Sequence, residues 1–350
     1  MTPRENLLRA VRFEEPDHIP MQFVINASCW HHYDASALFD LMGAHPLLFP
    51  GFRRPDGEFR PDLLPNARAG IPYVDPWGCV WTTTDDGIVG TVHDSPIRSW
   101  ENLAAFRPPD PAVTDGLGPI DWTRAGAELA AAKRRGEPAI ASLPHGHTFL
   151  RLQDLRGYEG LLFDMTDGHP DLGRLIDMVA DFNLGCVRRW LDLGPDMLQY
   201  PEDLGMQAGP MLPPELFREY IKPVYRRLMG PAKERGVLVH MHSDGDIRTL
   251  ADDILECGVD VINPQDLVNG IDWLAKHLAG RVCIDLDIDR QKVTPFGTPR
   301  DIDDLIREEV QKLGSRRGGL LMVYGLYPGV PLANVAAIMD AMERYSGLHS

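Results

Sequence analysis

Val237-Leu238-Val239-His240-Met241-His242-Ser243-Asp244-Gly245 carries two interleaved patterns. Val237, Val239 and Met241 sit two apart, and so do His240, His242 and Asp244. Successive side chains of a strand point to opposite faces, so one face is apolar and the other bears two imidazoles and a carboxylate. Gly245 ends the run, where a strand opens into a loop. An α/β barrel presents its reactive groups in this way, on strands with one packed face and ionisable groups at their C-terminal ends. The segment therefore predicts both a fold and the place of its site.

Working outward, short apolar runs at 21–25, 138–143, 196–201, 237–242, 259–263, 282–288 and 319–324 read as strands. Helical patterns occupy 122–135, 171–193, 214–235, 246–257, 271–279 and 300–313. In 171–193, Leu172, Leu175, Ile176, Val179, Phe182 and Val187 recur at close to the helical spacing. Strand alternating with helix implies parallel strands joined by right-handed crossovers. Seven such strands fit a (β/α)8 TIM barrel better than a six-stranded open sheet, and no GxGxxG turn follows the first strand. The first 120 residues are irregular: a short helix over 2–13, the strand at 21–25, and a Pro-, Gly- and aromatic-rich stretch in which 73–81 reads as a hairpin. No flexible linker or repeat separates this part from 121–350, so residues 1–350 are expected to form one domain, an irregular N-terminal elaboration packed on a barrel.

Composition narrows the partners. Of 350 residues, 44% are hydrophobic and 25% charged, which is ordinary for a globular chain. Asp plus Glu number 51 against 35 Lys plus Arg, a formal charge of −16 that disfavours nucleic acid and anionic membranes. The five cysteines are scattered and form no CxxC pair, as expected of reduced thiols in the cytoplasm. The N-terminal residues lack the apolar core of a signal peptide, and no apolar run is long enough to span a membrane.

Reading the strand ends in order gives Asn26, His145 and His147, Glu202 and Asp203, His242 and Asp244, Asn263 and Gln265, Asp285-Leu-Asp-Ile-Asp289, and Tyr324. Recurrence of such groups at the same end of successive strands is the signal, since any one polar loop residue means little. His240, deeper in its strand, reads as a packed barrel residue; His242 and Asp244, at the mouth, read as functional. Asp285, Asp287 and Asp289 fall on one face, where three carboxylates need a cation, protonation or a basic partner to coexist. Asp289 equally suits a structural anchor for its loop's N–H groups.

At these residues the chain resembles the uroporphyrinogen decarboxylase superfamily, which also includes cobalamin-linked methyltransferases. Glu202-Asp203-Leu-Gly-Met-Gln-Ala-Gly-Pro210 resembles its acidic strand end and Gly-Pro turn, and Pro214-Glu-Leu-Phe-Arg-Glu-Tyr-Ile-Lys-Pro223 its following helix. His242-Ser-Asp-Gly245 resembles its HSCG strand end, Ile288-Asp289 its GNID turn, and Pro328-Gly-Val-Pro-Leu-Ala-Asn334 its last conserved-looking segment. The resemblance implies a TIM barrel, commonly a homodimer. It points to the methyltransferase-like branch, because Met21-Gln-Phe-Val-Ile-Asn-Ala-Ser28 lacks the arginines that the decarboxylase proper uses for substrate carboxylates.

That branch binds zinc through a His-x-Cys pair and a later Cys. Here His242 is retained, Asp244 replaces the first Cys, and Tyr324 falls near the second. A His/carboxylate site is harder than a thiolate one, which shifts the expectation from thiol activation toward a divalent ion, zinc among the candidates, acting as a Lewis acid. The resemblance thus implies a metal-assisted demethylase of a small methylated substrate, with a corrinoid on a separate protein as methyl acceptor. His242, Asp244 and Glu202 are its expected metal ligands. Asp203, His145, Tyr324 and Asp289 are its expected catalytic groups, and Asn26, Gln207, Asn263 and Asp287 are expected to touch substrate. A metal-free decarboxylase or lyase is the alternative, and a binding protein on a decayed barrel is the third reading.

Overall fold

The computed structural model describes residues 1–347. Seven parallel strands form one curled sheet: β1 (Met21–Ile25), β2 (Ile140–Ser142), β3 (Met197–Asp203), β4 (Leu238–Asp244), β5 (Val261–Pro264), β6 (Cys283–Asp287) and β7 (Leu320–Leu326). Their order is β1-β7-β6-β5-β4-β3-β2, with helices between them in sequence, the arrangement of a TIM barrel. The edges are β1 and β2. Among the described residues, 26–139 add no strand between them and instead form a three-stranded antiparallel sheet, Tyr73–Val74, Val80–Thr82 and Thr91–Asp94.

Register decides which side chains enter the barrel. Leu238, His240, His242 and Asp244 of β4 lie level with Met197, Gln199, Pro201 and Asp203 of β3 and share their face. The floor of that interior is apolar: Met197, Leu238, Val261, Cys283 and Leu321 pack with Ala10 and Val11 of the N-terminal helix Pro3–Arg12, which plugs the barrel from below. Thr2 and Glu5 close a reciprocal capping box on this helix, and Arg4 grips Asp196 through two 2.8 Å bonds. One layer up, His240 Nε2 and Asp285 Oδ2 are 2.9 Å apart, both within the barrel. The opposite faces (Leu198, Val239, Met241, Ile262, Ile284, Leu286, Met322) pack against the helices in a core that runs from Ile19 to Tyr345 and takes in Trp77, Cys79 and Ile97 of the N-terminal part.

Helix boundaries follow local chemistry. The pattern over 214–235 resolves into Pro214–Leu216, a wide turn over Phe217–Ile221, and Lys222–Glu234. Pro223 lacks an N–H and its ring crowds the preceding turn, so the ladder opens there. The helix expected over 246–257 shortens to Ala251–Leu255. Phe149–Arg156, Tyr158–Asp167 and Leu332–Tyr345 are helices beyond those expected from the sequence. No helix among the described residues is long and apolar enough to cross a membrane.

Candidate active site

β3, β4 and β6 each deliver a carboxylate to the mouth, and β4 delivers the imidazole between them. His242 Nε2 lies 3.4 Å from Asp244 Oδ1 and 3.7 Å from Asp203 Oδ1. Its other nitrogen, Nδ1, is 2.7 Å from Asn263 Oδ1, while Asn263 Nδ2 donates to the Asp285 carbonyl. A carbonyl oxygen only accepts, so Asn263 must turn its own oxygen to the ring, and Nδ1 must donate. The Nε2 lone pair is thereby left facing Asp203 and Asp244. Burial pulls the His242 pKa below its usual value despite the nearby acids, which favours this neutral, ligating form.

Asp203 accepts the Asp244 N–H at 3.1 Å and sits 3.2 Å from His145 Nε2. Burial raises the Asp203 pKa, but the His145 bond, the charges of His145 and His242 and the Asp244 N–H together outweigh it and the net direction is down. His145 moves the other way: burial opposes its charge, yet Asp203 and the neighbouring acids carry its pKa above the usual value. Both shifts favour an imidazolium beside a carboxylate, with the His145 side chain half exposed at the rim.

Arg290 spans the far side, 2.6 Å from Asp287 Oδ2 and 3.3 Å from Asp244 Oδ1, with its guanidinium over the Tyr327 ring. Burial lifts Asp287 to about 8 even so, because Asp244, Asp266 and Asp285 add repulsion that Arg290 does not cancel.

These groups offer two three-donor sets sharing His242: His145, Asp203 and His242, or His242, Asp244 and Asp287. Zinc–nitrogen and zinc–oxygen bonds near 2.0–2.2 Å at the tetrahedral angle put ligand atoms roughly 3.3 Å apart. The 3.4 and 3.7 Å separations around His242 Nε2 are already close to that edge. A borderline metal therefore fits the donors present without a thiolate.

The structure brings His145, Asp203, His242, Asp244, Asn263 and Asp287 together, and places five expected site residues elsewhere. Glu202 is the main correction. Alternation turns it to the opposite face from Asp203, where it is fully buried and accepts the N–H groups of Thr148, Phe149 and Leu150 at 3.1, 2.8 and 3.2 Å and the Tyr225 hydroxyl at 2.9 Å. It caps the helix Phe149–Arg156 and has no approach to His242. Tyr324 likewise faces the helix layer, its ring tilted against Phe23 at 5.2 Å and its hydroxyl on Thr294 Oγ1. Gly325, one residue on, takes the position beside Arg290. Asp289 lies past the end of β6 and accepts the N–H groups of Gln291, Lys292, Val293 and Thr294, so its anchoring role holds. Asn26 accepts from Ser28 N and Oγ in a local turn, and Gln207 is exposed at the tip of the hairpin Gly205–Met206/Gly209–Pro210. That hairpin packs on the end of β4 so closely that a Cβ on Gly245 (φ +80°) would come within 2.1 Å of Gly205. Arg290 had no assigned role; the row of Asp285, Asp287 and Asp289 was its signal, since aligned acids require a counter-charge.

The model of the uroporphyrinogen decarboxylase (URO-D) family matches residues 80–345. The chain belongs to the URO-D family. Uroporphyrinogen decarboxylase of Danio rerio is 24% identical over 186 residues, 51% of this chain and 47% of that protein. The Homo sapiens enzyme is 23% identical over 188 residues, 51% of this chain and 48% of the other. The chain thus spans about half the length of the curated relatives it matches. A methyltransferase from Methanosarcina mazei, 14% identical, superposes over 99% of both chains with a TM-score of 0.63 and shares the fold.

Three buried acids give this family member a testable pH response. Burial pushes Glu202 and Asp154 up to about 7 and Asp287 to about 8, from ordinary values of 4.5, 3.8 and 3.8. An acid with a raised folded-state pKa binds more protons folded than unfolded, so its stabilisation is full below the unfolded pKa and disappears as pH rises through the folded one. Stability in urea is expected to fall from pH 5.5 to pH 8, with Glu202 contributing up to about 3 kcal/mol across its whole window. Glu202→Gln should flatten the slope; an unchanged slope would show that Glu202 does not titrate there.

Proposed function

We propose that this chain is a methyltransferase-type URO-D enzyme that demethylates a small methylated substrate, an ether or methylamine-type compound, and passes the methyl group to a corrinoid on a separate protein. The observation that carries the reading is the His242 lone pair held by Asn263 between Asp203 and Asp244. His242, Asp244 and Asp287 would hold the metal, one of the two three-donor sets at the mouth. The ion, when bound, supplies Lewis acidity toward the heteroatom that gives up the methyl group.

The remaining chemistry belongs to the protein. Asn263 fixes the His242 tautomer, and the Asp244 N–H fixes Asp203. His145 holds a proton at Nε2 beside Asp203, placed to deliver it to the leaving oxygen or nitrogen as the carbon–heteroatom bond breaks. Arg290 holds Asp244 and Asp287 in place.

The same cleft argues against a polycarboxylate substrate. Arg290 is already shared by two carboxylates, His145 is paired with Asp203, and acids outnumber these partners around His242. Supporting one unit over 1–350 is the continuous core joining the N-terminal part to the barrel. A homodimer in the cytoplasm is the setting we propose, on family resemblance and five free, buried cysteines.

The deciding assay mixes the metal-loaded protein, free cob(I)alamin and a panel of aryl and alkyl methyl ethers and methylamines, and follows methylcobalamin by absorbance. Methylcobalamin formation with one class is expected, with uroporphyrinogen unchanged in parallel. Decarboxylation of uroporphyrinogen without added metal would overturn the reading in favour of the metal-free lyase.

A further inference from the structure

The helix Cys29–His32 follows β1 at the C-terminal rim of the barrel and carries two consecutive histidines. Neighbours on a helix diverge by about 100°, yet the His31 and His32 rings lie 4.5 Å apart, centroid to centroid. They converge on one carboxylate: His31 Nε2 is 2.8 Å from Asp85 Oδ1, and His32 Nε2 is 2.8 Å from Asp85 Oδ2. One ligand atom of each residue lies within 4.8 Å of the others.

Asp85 arrives from the turn between Val80–Thr82 and Thr91–Asp94, and that turn is fixed without the histidines. Gly87 N donates to the Ala67 carbonyl at 2.8 Å, and Ala69 N donates to Asp86 Oδ1 at 2.7 Å. Gly87, at φ +88°, approaches the start of the helix so closely that a Cβ would meet Ser28 N at 2.3 Å. Two rigidly presented segments therefore aim three donors at one point.

We propose that His31, His32 and Asp85 form a second divalent-metal site, separate from the His242 centre, which takes Zn²⁺ or a related transition metal and clips the rim helix to the N-terminal sheet. Two imidazoles and a carboxylate with a fourth position open to water make a tetrahedral donor set of that class, and two nitrogen donors disfavour Ca²⁺ and Mg²⁺. The tetrahedral edge of roughly 3.3 Å asks each 2.8 Å contact to open slightly. All three side chains are part exposed and free to give that much.

The test uses chelator-stripped full-length protein in a His242→Ala background, so the outcome does not depend on the active-site reading. Titration with Co²⁺ is expected to give one equivalent of tetrahedral visible absorption, and Zn²⁺ is expected to displace it and raise the Tm. Adding His31→Ala with His32→Ala should abolish both signals, and Asp85→Asn should weaken Co²⁺ at least tenfold, with the metal-free Tm of each variant close to its parent. The proposal is overturned if the His242→Ala protein binds neither ion, or if the added substitutions leave its titration unchanged. Either result would mean a surface hydrogen-bonded trio with no ion.

Discussion

His242→Ala is expected to weaken divalent-ion binding by roughly 100-fold or more, beyond the ~10–100-fold that follows loss of a supporting hydrogen bond, and to remove the proposed methyl transfer with it. The side chain is common to both three-donor sets, so no alternative grouping around the mouth survives its loss. Asn263→Ala should fall in the smaller range, because it removes the tautomer lock and leaves the ring. Calorimetric titration of stripped protein with Zn²⁺ checks both. Equal affinities for wild type and His242→Ala, in protein that also carries His31→Ala and His32→Ala, would show that the centre does not bind metal through this ring. The fold should tolerate the change, since Asp203 stays bonded to the Asp244 backbone and to His145.

Asp75→Asn is expected to destabilise the protein by about 3 kcal/mol, the lower end for breaking a buried ion pair, because Asp154 still lies 3.7 Å from the Arg151 guanidinium. Asp75 Oδ1 accepts the N–H groups of Trp77 and Cys79 at 2.9 Å each, and Oδ2 accepts Trp81 Nε1 at 2.9 Å and Arg151 Nη1 at 2.6 Å. The Arg151 guanidinium lies between the Trp77 and Trp81 rings, 5.7 and 6.0 Å from their centroids, so the alternative of solvation is closed to it. Arg151 belongs to the helix Phe149–Arg156, whose N-terminus rests on Glu202. One helix therefore ties the N-terminal sheet to β3, and the loss should be visible as a lower urea midpoint. Asp75→Asn combined with Arg151→Met should cost less than the sum of the single changes, because both remove the same Asp75–Arg151 bond.

The barrel was legible because a buried parallel sheet imposes alternation that a reader can count. β4 reads correctly from Val237 to Gly245, and with it the layering of His240 below His242. The errors cluster where alternation alone leaves two answers. Glu202 and Asp203 are neighbours, both acidic and both at a strand end, and either could have faced the mouth. The parity that separates them is fixed by pairing with β4, where Asp203 lies level with Asp244 and Glu202 with Ser243. Tyr324 and Gly325 pose the same choice on β7, and the glycine, which has no chemistry to notice, occupies the cleft position. The helices at 149–156 and 332–345 went unmarked because tertiary burial, rather than a clean apolar stripe, stabilises them.

What the sequence determined by itself is the barrel and the placing of His242 and Asp244 together at the C-terminal end of β4, because strand periodicity and residue type are local properties. Tertiary structure alone decided which acid joins them, that Asn263 sets the imidazole tautomer, that Arg290 supplies the counter-charge, and that His31 and His32 meet Asp85. Each of those depends on the register between strands or on contacts between segments far apart in the chain, and neither is written in the order of residues along one strand.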